Sequence, residues 1–283
     1  MNDEVLDITK LNDASLSLQK AYNTKDKKYV ENAINLLSLM LKQETPQITP
    51  VRADQIVIPD TKGYIPSCVE WLDSALGGGM RRQELLIIGG SPHAGKSHLL
   101  CYISAQYVKQ GLKVLHINGE DVLSDILDIY GLMLEDKHQE QIWFVDISEK
   151  FTVAAIEKAI ESMEIKPDVI VVDHLDCMST DGTQSDFLEI GKVTTDLRLL
   201  GKRTDSFVLT GSQLNFASMG QKGMARFYRG KVAKAGPADL ILIINDQVDG
   251  DLYMSVAKAK GRNIRNKEIA IQLDFSTMQV RGI

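Results

Sequence analysis

Cysteine is scarce: the 283 residues hold three, Cys68, Cys101 and Cys177, and no two of them form a C-x-x-C pair. That spacing argues against a disulfide framework or a zinc site and points to a reducing compartment. Basic charge is not in surplus either, since 32 Lys and Arg against 38 Asp and Glu leave a net charge of −6. With no global positive field to hold a polyanion, contact with nucleic acid would have to come from a local patch. No apolar run approaches the roughly 20 residues that span a bilayer, so no membrane association is expected. The opening Met1-Asn2-Asp3-Glu4 is acidic, unlike a signal peptide, and predicts a cytoplasmic protein. Internal repeats and low-complexity tracts are missing as well. What is present is ordinary for a globular chain, 44% apolar and 25% charged residues, at a length that suits one large α/β domain with a small appendage.

Residues 1–43 read as that appendage. Asn12-Asp13 can cap a short helix carrying Leu16, Leu18 and Tyr22. Thr24 can cap a second, in which Val30, Ala33, Ile34, Leu37 and Leu41 recur at helical spacing. Such short amphipathic helices need a surface to pack on, either their own domain or a neighbouring subunit. Residues 44–60, with Pro46, Pro50 and Pro59, read as an extended linker. From residue 61 to 283 short apolar runs alternate with helical patterns. The strands are expected at Glu84–Ile88, Lys113–Asn118, Ile142–Val145, Asp168–Asp173, Ser206–Thr210 and Leu240–Ile244. Asp249-Gly250 marks a hairpin turn, and further strands follow it to the C-terminus. This order predicts an α/β fold with a mostly parallel sheet covered on both faces and antiparallel strands at its C-terminal end.

Chemistry is densest at Gly90-Ser91-Pro92-His93-Ala94-Gly95-Lys96-Ser97, which fits the phosphate-binding loop G-x-x-x-x-G-K-[ST]. A buried strand precedes it and a helix follows, so backbone N–H groups and a helix dipole converge on one point that suits a polyphosphate. Lys96 would reach the β- and γ-phosphates of ATP, and the Ser97 hydroxyl would ligate Mg²⁺. Asp173 ends an apolar strand expected to lie beside the loop's own strand, and would hold the same Mg²⁺ through water. Glu120, just past another strand, is the expected base that orients water, with Asp121 as the alternative. Gln213 ends a further strand with an uncharged amide suited to sensing the γ-phosphate.

Leu214–Gly236 is a long polar connection without Asp or Glu, containing Lys222, Arg226, Arg229, Gly230, Lys231 and Lys234 among Phe216, Phe227 and Tyr228. Cations that track phosphates beside aromatic stacking surfaces suit single-stranded nucleic acid. In Lys258-Ala259-Lys260-Gly261-Arg262-Asn263, Lys260 and Arg262 are expected to reach a neighbouring subunit's ATP and stabilise charge on its γ-phosphate.

In this order the motifs resemble the RecA-like ATPase domain of the DnaB-type hexameric replicative helicases, phage helicases included. Gly90–Ser97 is similar to that family's Walker A loop, and Val169–Asp173 to its Walker B strand. Ser212-Gln213-Leu214-Asn215 looks like its glutamine motif, Arg229-Gly230 like its second DNA-binding loop, and Lys260-Gly261-Arg262-Asn263 like its finger segment. The likeness runs from about Ile65 to the C-terminus. It implies a RecA-like P-loop ATPase core and ATP hydrolysis at subunit interfaces of a homohexameric ring or spiral. It also implies 5′→3′ movement on single-stranded DNA and a primase or loader as partner. Two other functions fit the same residues: a RecA-like recombination or mediator ATPase that binds single-stranded DNA without unwinding it, and a regulatory ATP-binding scaffold. Residues 1–43 are shorter than the family's usual N-terminal domain, and Pro92-His93 is an unusual filling of the loop.

Overall fold

Leu85, Leu86, Ile87 and Ile88 are all fully buried, as expected where a strand has helices on both faces. They open β1 (Leu85–Gly90), near the middle of a nine-stranded sheet of order β3-β2-β4-β5-β1-β6-β7-β8-β9. Its other parallel members are β2 (Val114–Asn118), β3 (Ile142–Asp146), β4 (Val169–Asp173), β5 (Phe207–Gln213) and β6 (Leu240–Val248). The strands β7 (Asp251–Ala259), β8 (Glu268–Asp274) and β9 (Gln279–Gly282) continue the sheet antiparallel. The chain is described here from a computed structural model, for residues 8–40, 52, 64–179, 186–213, 236–248, 251–262, 268–274 and 276–282. It divides into two compact units, Met1–Ile58 and Pro59–Ile283.

In the larger unit the alternation of side chains along each strand separates two cores. Leu86, Ile88, Val169, Val171, Leu209, Leu240 and Leu242 face α3 (Glu70–Leu76) and α4 (Lys96–Lys109), where Leu72, Leu99, Ile103 and Tyr107 meet them. Leu85, Ile87, Ile170, Val172, Val208, Ile241 and Ile243 face the other way. They pack on Ile156 and Ile160 of α6 (Val153–Glu161) and on Val193, Leu197 and Leu200 of α7 (Asp186–Thr204). Each such Leu or Ile contributes roughly 1.5–3 kcal/mol. Tyr107 and Phe207 meet edge to face at 4.7 Å. The Thr152 hydroxyl caps α6 by accepting from the Ala155 amide at 3.3 Å. A third, smaller core holds α5 (Leu123–Gly131) through Ile126 and Tyr130 against Cys101 and Ala105. The RecA-like α/β core expected from the sequence is the fold observed.

Two local expectations change. The Walker B strand β4 does not lie beside the loop strand β1, because β5 runs between them and pairs in parallel with both. In the smaller unit, α1 begins at Ile8 rather than at an Asn12-Asp13 cap and runs to Thr24. Asp26, rather than Thr24, supplies the side chain before α2 (Lys27–Met40), accepting from the Lys28 amide at 2.9 Å. Ala14, Ser17, Ala21 and Ala33 are buried while Leu16, Leu18, Tyr22, Val30 and Ile34 are exposed. The small residues let the two helix backbones approach closely, and Asn32 donates to the Ser17 hydroxyl at 3.1 Å across the pair.

Candidate functional site

The loop after β1 leads into α4 through Gly95, which adopts φ 85° and caps the helix with no side-chain acceptor. The amides of the first helical turn are therefore left for a ligand, and the helix dipole favours an anion there. Lys96 sits within this turn, 6% exposed, and its Nζ donates to the Ser91 carbonyl at 2.9 Å. Burial pulls the Lys96 ammonium below its ordinary pKa, against the opposing pull of Glu120, Asp173, Asp176 and Asp121. Burial likewise lowers His98, in the first turn of the helix that follows the loop. The cleft in front of the loop has a volume of about 460 Å³ and is lined by Pro92, His93, Gly95, Lys96, Ser97, His98, Glu120, Asp121 and Gln213. That is an ordinary size for a small-molecule site.

Asp173 closes β4 at 1% exposure, and neither of its carboxylate oxygens meets a hydrogen-bond donor in good geometry. Burial raises its pKa to about 7; Asp121 and Glu120 push the same way, whereas the nearby Ser97 hydroxyl and Lys96 hold it down. A buried carboxylate with both oxygens free of donors is what a divalent cation satisfies, and Ser97 offers a hydroxyl on the same side. The residues therefore fit Mg²⁺. Asp173 reaches toward the loop across β5, and this is possible because β5 carries Gly211 at the crossing. A Cβ there would stand 3.3 Å from the His174 Cβ, 3.4 Å from Leu100 and 3.5 Å from an Asp173 carboxylate oxygen.

Glu120 is brought to the same mouth by Gly119, whose amide donates to the Asp173 carbonyl at 2.8 Å. A Cβ on Gly119 would come within 2.8 Å of the Phe151 ring, so the end of β2 can lie this close to β4 only without one. Glu120 is 37% exposed and accepts on both oxygens. His174 Nδ1 lies 2.8 Å from Oε2, and the Gln213 amide donates to Oε1 at 3.2 Å. His174 Nε2 stands 3.6 Å from Asp176 Oδ2, which also accepts from the Gln213 backbone amide at 2.9 Å and the Ser212 hydroxyl at 3.2 Å. Expected base and expected sensor thus touch, and His174 with Asp176 ties them from behind. Glu120, Asp173 and His174 each present a ligand atom within 4.8 Å of the others. Sequence reading passed over His174 and Asp176. The available signal was their place just beyond Asp173, since residues after the C-terminal ends of parallel strands face the crevice.

The expected finger residues part company. Lys260 is 64% exposed, with its ammonium 4.0 Å from Asp239. Arg262 has only 2% of its side chain exposed and lies within its own subunit. It donates to the Leu76 and Gly79 carbonyls, pairs with Glu84 and stands over the Tyr64 ring at 5.0 Å. The expectation that Arg262 reaches a neighbour is corrected by this arrangement, in which Glu84 and two fixed carbonyls already satisfy its charge. The expected DNA contacts Lys222, Arg226, Arg229, Gly230, Lys231 and Lys234 lie outside the described residues. Among the described residues no helix is long and apolar enough to cross a membrane.

No family model matches the sequence. Among curated proteins, the DNA repair protein RadA of Mycolicibacterium smegmatis is 24% identical over 249 residues, covering 85% of this chain and 49% of RadA. The chain thus spans about half the length of that relative. Among solved structures, the isolated ATPase domain of a DnaB-like helicase superposes with a TM-score of 0.67 at 13% identity, over 90% of this chain and 98% of that one. A DnaB-like replicative helicase, described with its interactions with primase, gives 0.63 at 14% identity, over 94% of this chain and 74% of that one. At these identities the structural likeness is one of fold, and the fold is the α/β core that DnaB-like ATPase domains share with this chain.

Proposed function

We propose that the chain is an ATP-hydrolysing motor domain that works on single-stranded DNA as a DnaB-like 5′→3′ helicase, with ATP held at the contact between subunits. The observation that carries this reading is the gathering of Lys96, Ser97, Asp173, Glu120 and Gln213 around one cleft from four different strand ends. In it the loop amides and Lys96 bind the phosphates, and Ser97 with Asp173 holds Mg²⁺. When bound, the ion neutralises charge on the β- and γ-phosphates. Glu120 orients the attacking water, and Gln213 reads the state of the γ-phosphate into the basic segment beyond β5. Lys260, the exposed member of its pair, supplies positive charge to the ATP of an adjacent subunit in a ring or spiral. A primase or loader is the partner that the likeness to the DnaB-like structure suggests.

The match to RadA favours a second reading, a recombination or mediator ATPase that binds single-stranded DNA without displacing a strand. A forked duplex separates the two. ATP-dependent displacement of the complementary strand from a 5′-tailed fork supports the helicase, whereas DNA-stimulated hydrolysis without displacement supports the mediator. Lys96→Ala is expected to lower ATP hydrolysis by on the order of 10³-fold or more, through loss of phosphate binding. Hydrolysis that survives this change would exclude both readings.

A further inference from the structure

The closed circuit Glu120–His174–Asp176–Gln213–Glu120 has a member that the ATPase chemistry above leaves unused. His174 is 5% exposed, is wedged against Gly211, and approaches the carboxylate of the base more closely than any other side chain recorded there, at 2.8 Å. Its second nitrogen faces Asp176, whose Oδ2 is already committed to the end of β5 through the Gln213 amide and the Ser212 hydroxyl. A neutral imidazole has one N–H, and the Asp176 carboxylate and the Glu120 carboxylate compete for it; 2.8 Å against 3.6 Å gives it to Glu120. Cys177 Sγ stands 3.4 Å from the same Nδ1 and is the weaker neighbour.

We propose that His174 is a positioning residue for Glu120: its Nδ1–H fixes one carboxylate oxygen, and Asp176 behind it joins that hold to the strand that carries Gln213. The Glu120 side chain is otherwise a flexible stem at the rim of an open cleft. Two donors, one on each oxygen, fix the plane of its carboxylate and leave a lone pair on each for water. One of those donors is the sensor side chain, and the other is tied to the sensor's backbone through Asp176. A displacement at the tip of β5 therefore reaches the base by two routes. No proton is transferred by His174 and no bond to substrate is made by it. The proposal rests on Glu120 being the base of an ATPase.

The test replaces His174 in the full chain. His174→Ala is expected to lower the kcat of ATP hydrolysis by about 10–100-fold, the range of one hydrogen bond to a charged group, with KM and the affinity for an ATP analogue within about 2-fold of wild type. His174→Asn places an amide N–H where Nδ1 stands and is expected to recover kcat to within about 3-fold of wild type, by the same hydrogen-bond reasoning. Without any nucleotide, the ¹⁵N spectrum of the wild-type imidazoles is expected to show His174 with its proton on Nδ1, and Glu120→Ala to shift that tautomer. Alanine and asparagine variants both as active as wild type would overturn the proposal. So would equal damage in both with lowered nucleotide affinity and melting temperature, the mark of a packing role, or a tautomer indifferent to Glu120→Ala. The wild type keeps the two claims apart: if it does not hydrolyse ATP, the functional reading fails first and takes the proposal with it. An active wild type with an unaffected His174→Ala condemns the proposal alone.

Discussion

The parallel half of the sheet and its antiparallel extension treat their polar residues in opposite ways. In β1, β2, β4 and β5 every strand points the same way, so whatever follows each C-terminal end arrives at one rim. Lys96, Glu120, Asp173 and Gln213 meet there although 117 residues separate the first from the last. Beyond β6 the strands reverse, and neighbouring ends face opposite sides of the molecule. The turn after β7 sends Lys260 outward and Arg262 back beneath β1, onto Glu84 and the carbonyls of Leu76 and Gly79. Polar groups on the parallel side are held for a ligand, whereas Arg262 on the other side holds the fold together.

Changing one residue on each side should break that contrast if it is wrong. The largest effect is expected from Glu120→Gln, which keeps the side chain's size and removes its basicity. Hydrolysis should fall by about 10²–10⁴-fold while the affinity for an ATP analogue stays near wild type. Stopped hydrolysis with lost nucleotide binding would mean that Glu120 is structural, as Arg262 is. Arg262→Ala is expected to act on stability instead. It leaves Glu84, 12% exposed, without its cation, and breaking such a buried pair costs about 3–5 kcal/mol, readable by urea unfolding. Lys260→Ala should leave stability within about 0.5 kcal/mol of wild type. If Lys260 serves a neighbour's ATP, that variant should slow hydrolysis only under conditions where subunits associate. Equal stability losses in the two variants would erase the distinction between the outward and the inward cation.

The smallest expected effect lies inside the parallel half, at a residue that is polar but not part of the cleft. His116 of β2 is fully buried, with its Nδ1 2.8 Å from the Tyr130 hydroxyl, and burial lowers its pKa from 6.5 to about 3. The folded protein therefore keeps His116 neutral where the unfolded chain would protonate it. Its contribution to stability is complete above pH 6.5 and is lost as pH falls from there toward 3, at up to about 1.4 kcal/mol per pH unit. Replacing His116 with Asn should flatten the acid limb of the stability profile by that slope. An unchanged limb would place the acid sensitivity in other groups.

Much of this was legible from residue order. The loop Gly90–Ser97, the apolar strand ending in Asp173 and the amide at Gln213 each combine a local pattern with a position at a strand end, so periodicity and the rule of parallel sheets place them together. Strand order was less accessible. A sequence says that β4 and β1 are parallel but not that β5 lies between them, because that depends on how α7 returns the chain to the sheet. His174 and Asp176 were missed because neither completes a motif; their meaning comes from Glu120 arriving opposite them through Gly119. Arg262 misled for the opposite reason. Its motif resembles a finger, and nothing local to residue 262 reveals that Glu84 and Tyr64 wait for it 178 and 198 positions earlier.

The strand between the two Mg²⁺-binding elements has a consequence for anyone who would redesign this protein. Parallel neighbours lie about 4.8 Å apart, so Asp173 and the loop of β1 are held two strand spacings from each other, roughly 10 Å, whatever their own side chains do. Most of β5 can be recoded with apolar residues of similar volume on either face. Position 211 cannot, because its function is to be empty: it is the notch through which one half of the site looks at the other. A library that varies the catalytic residues and ignores this glycine would keep every functional group and lose the line of sight between them.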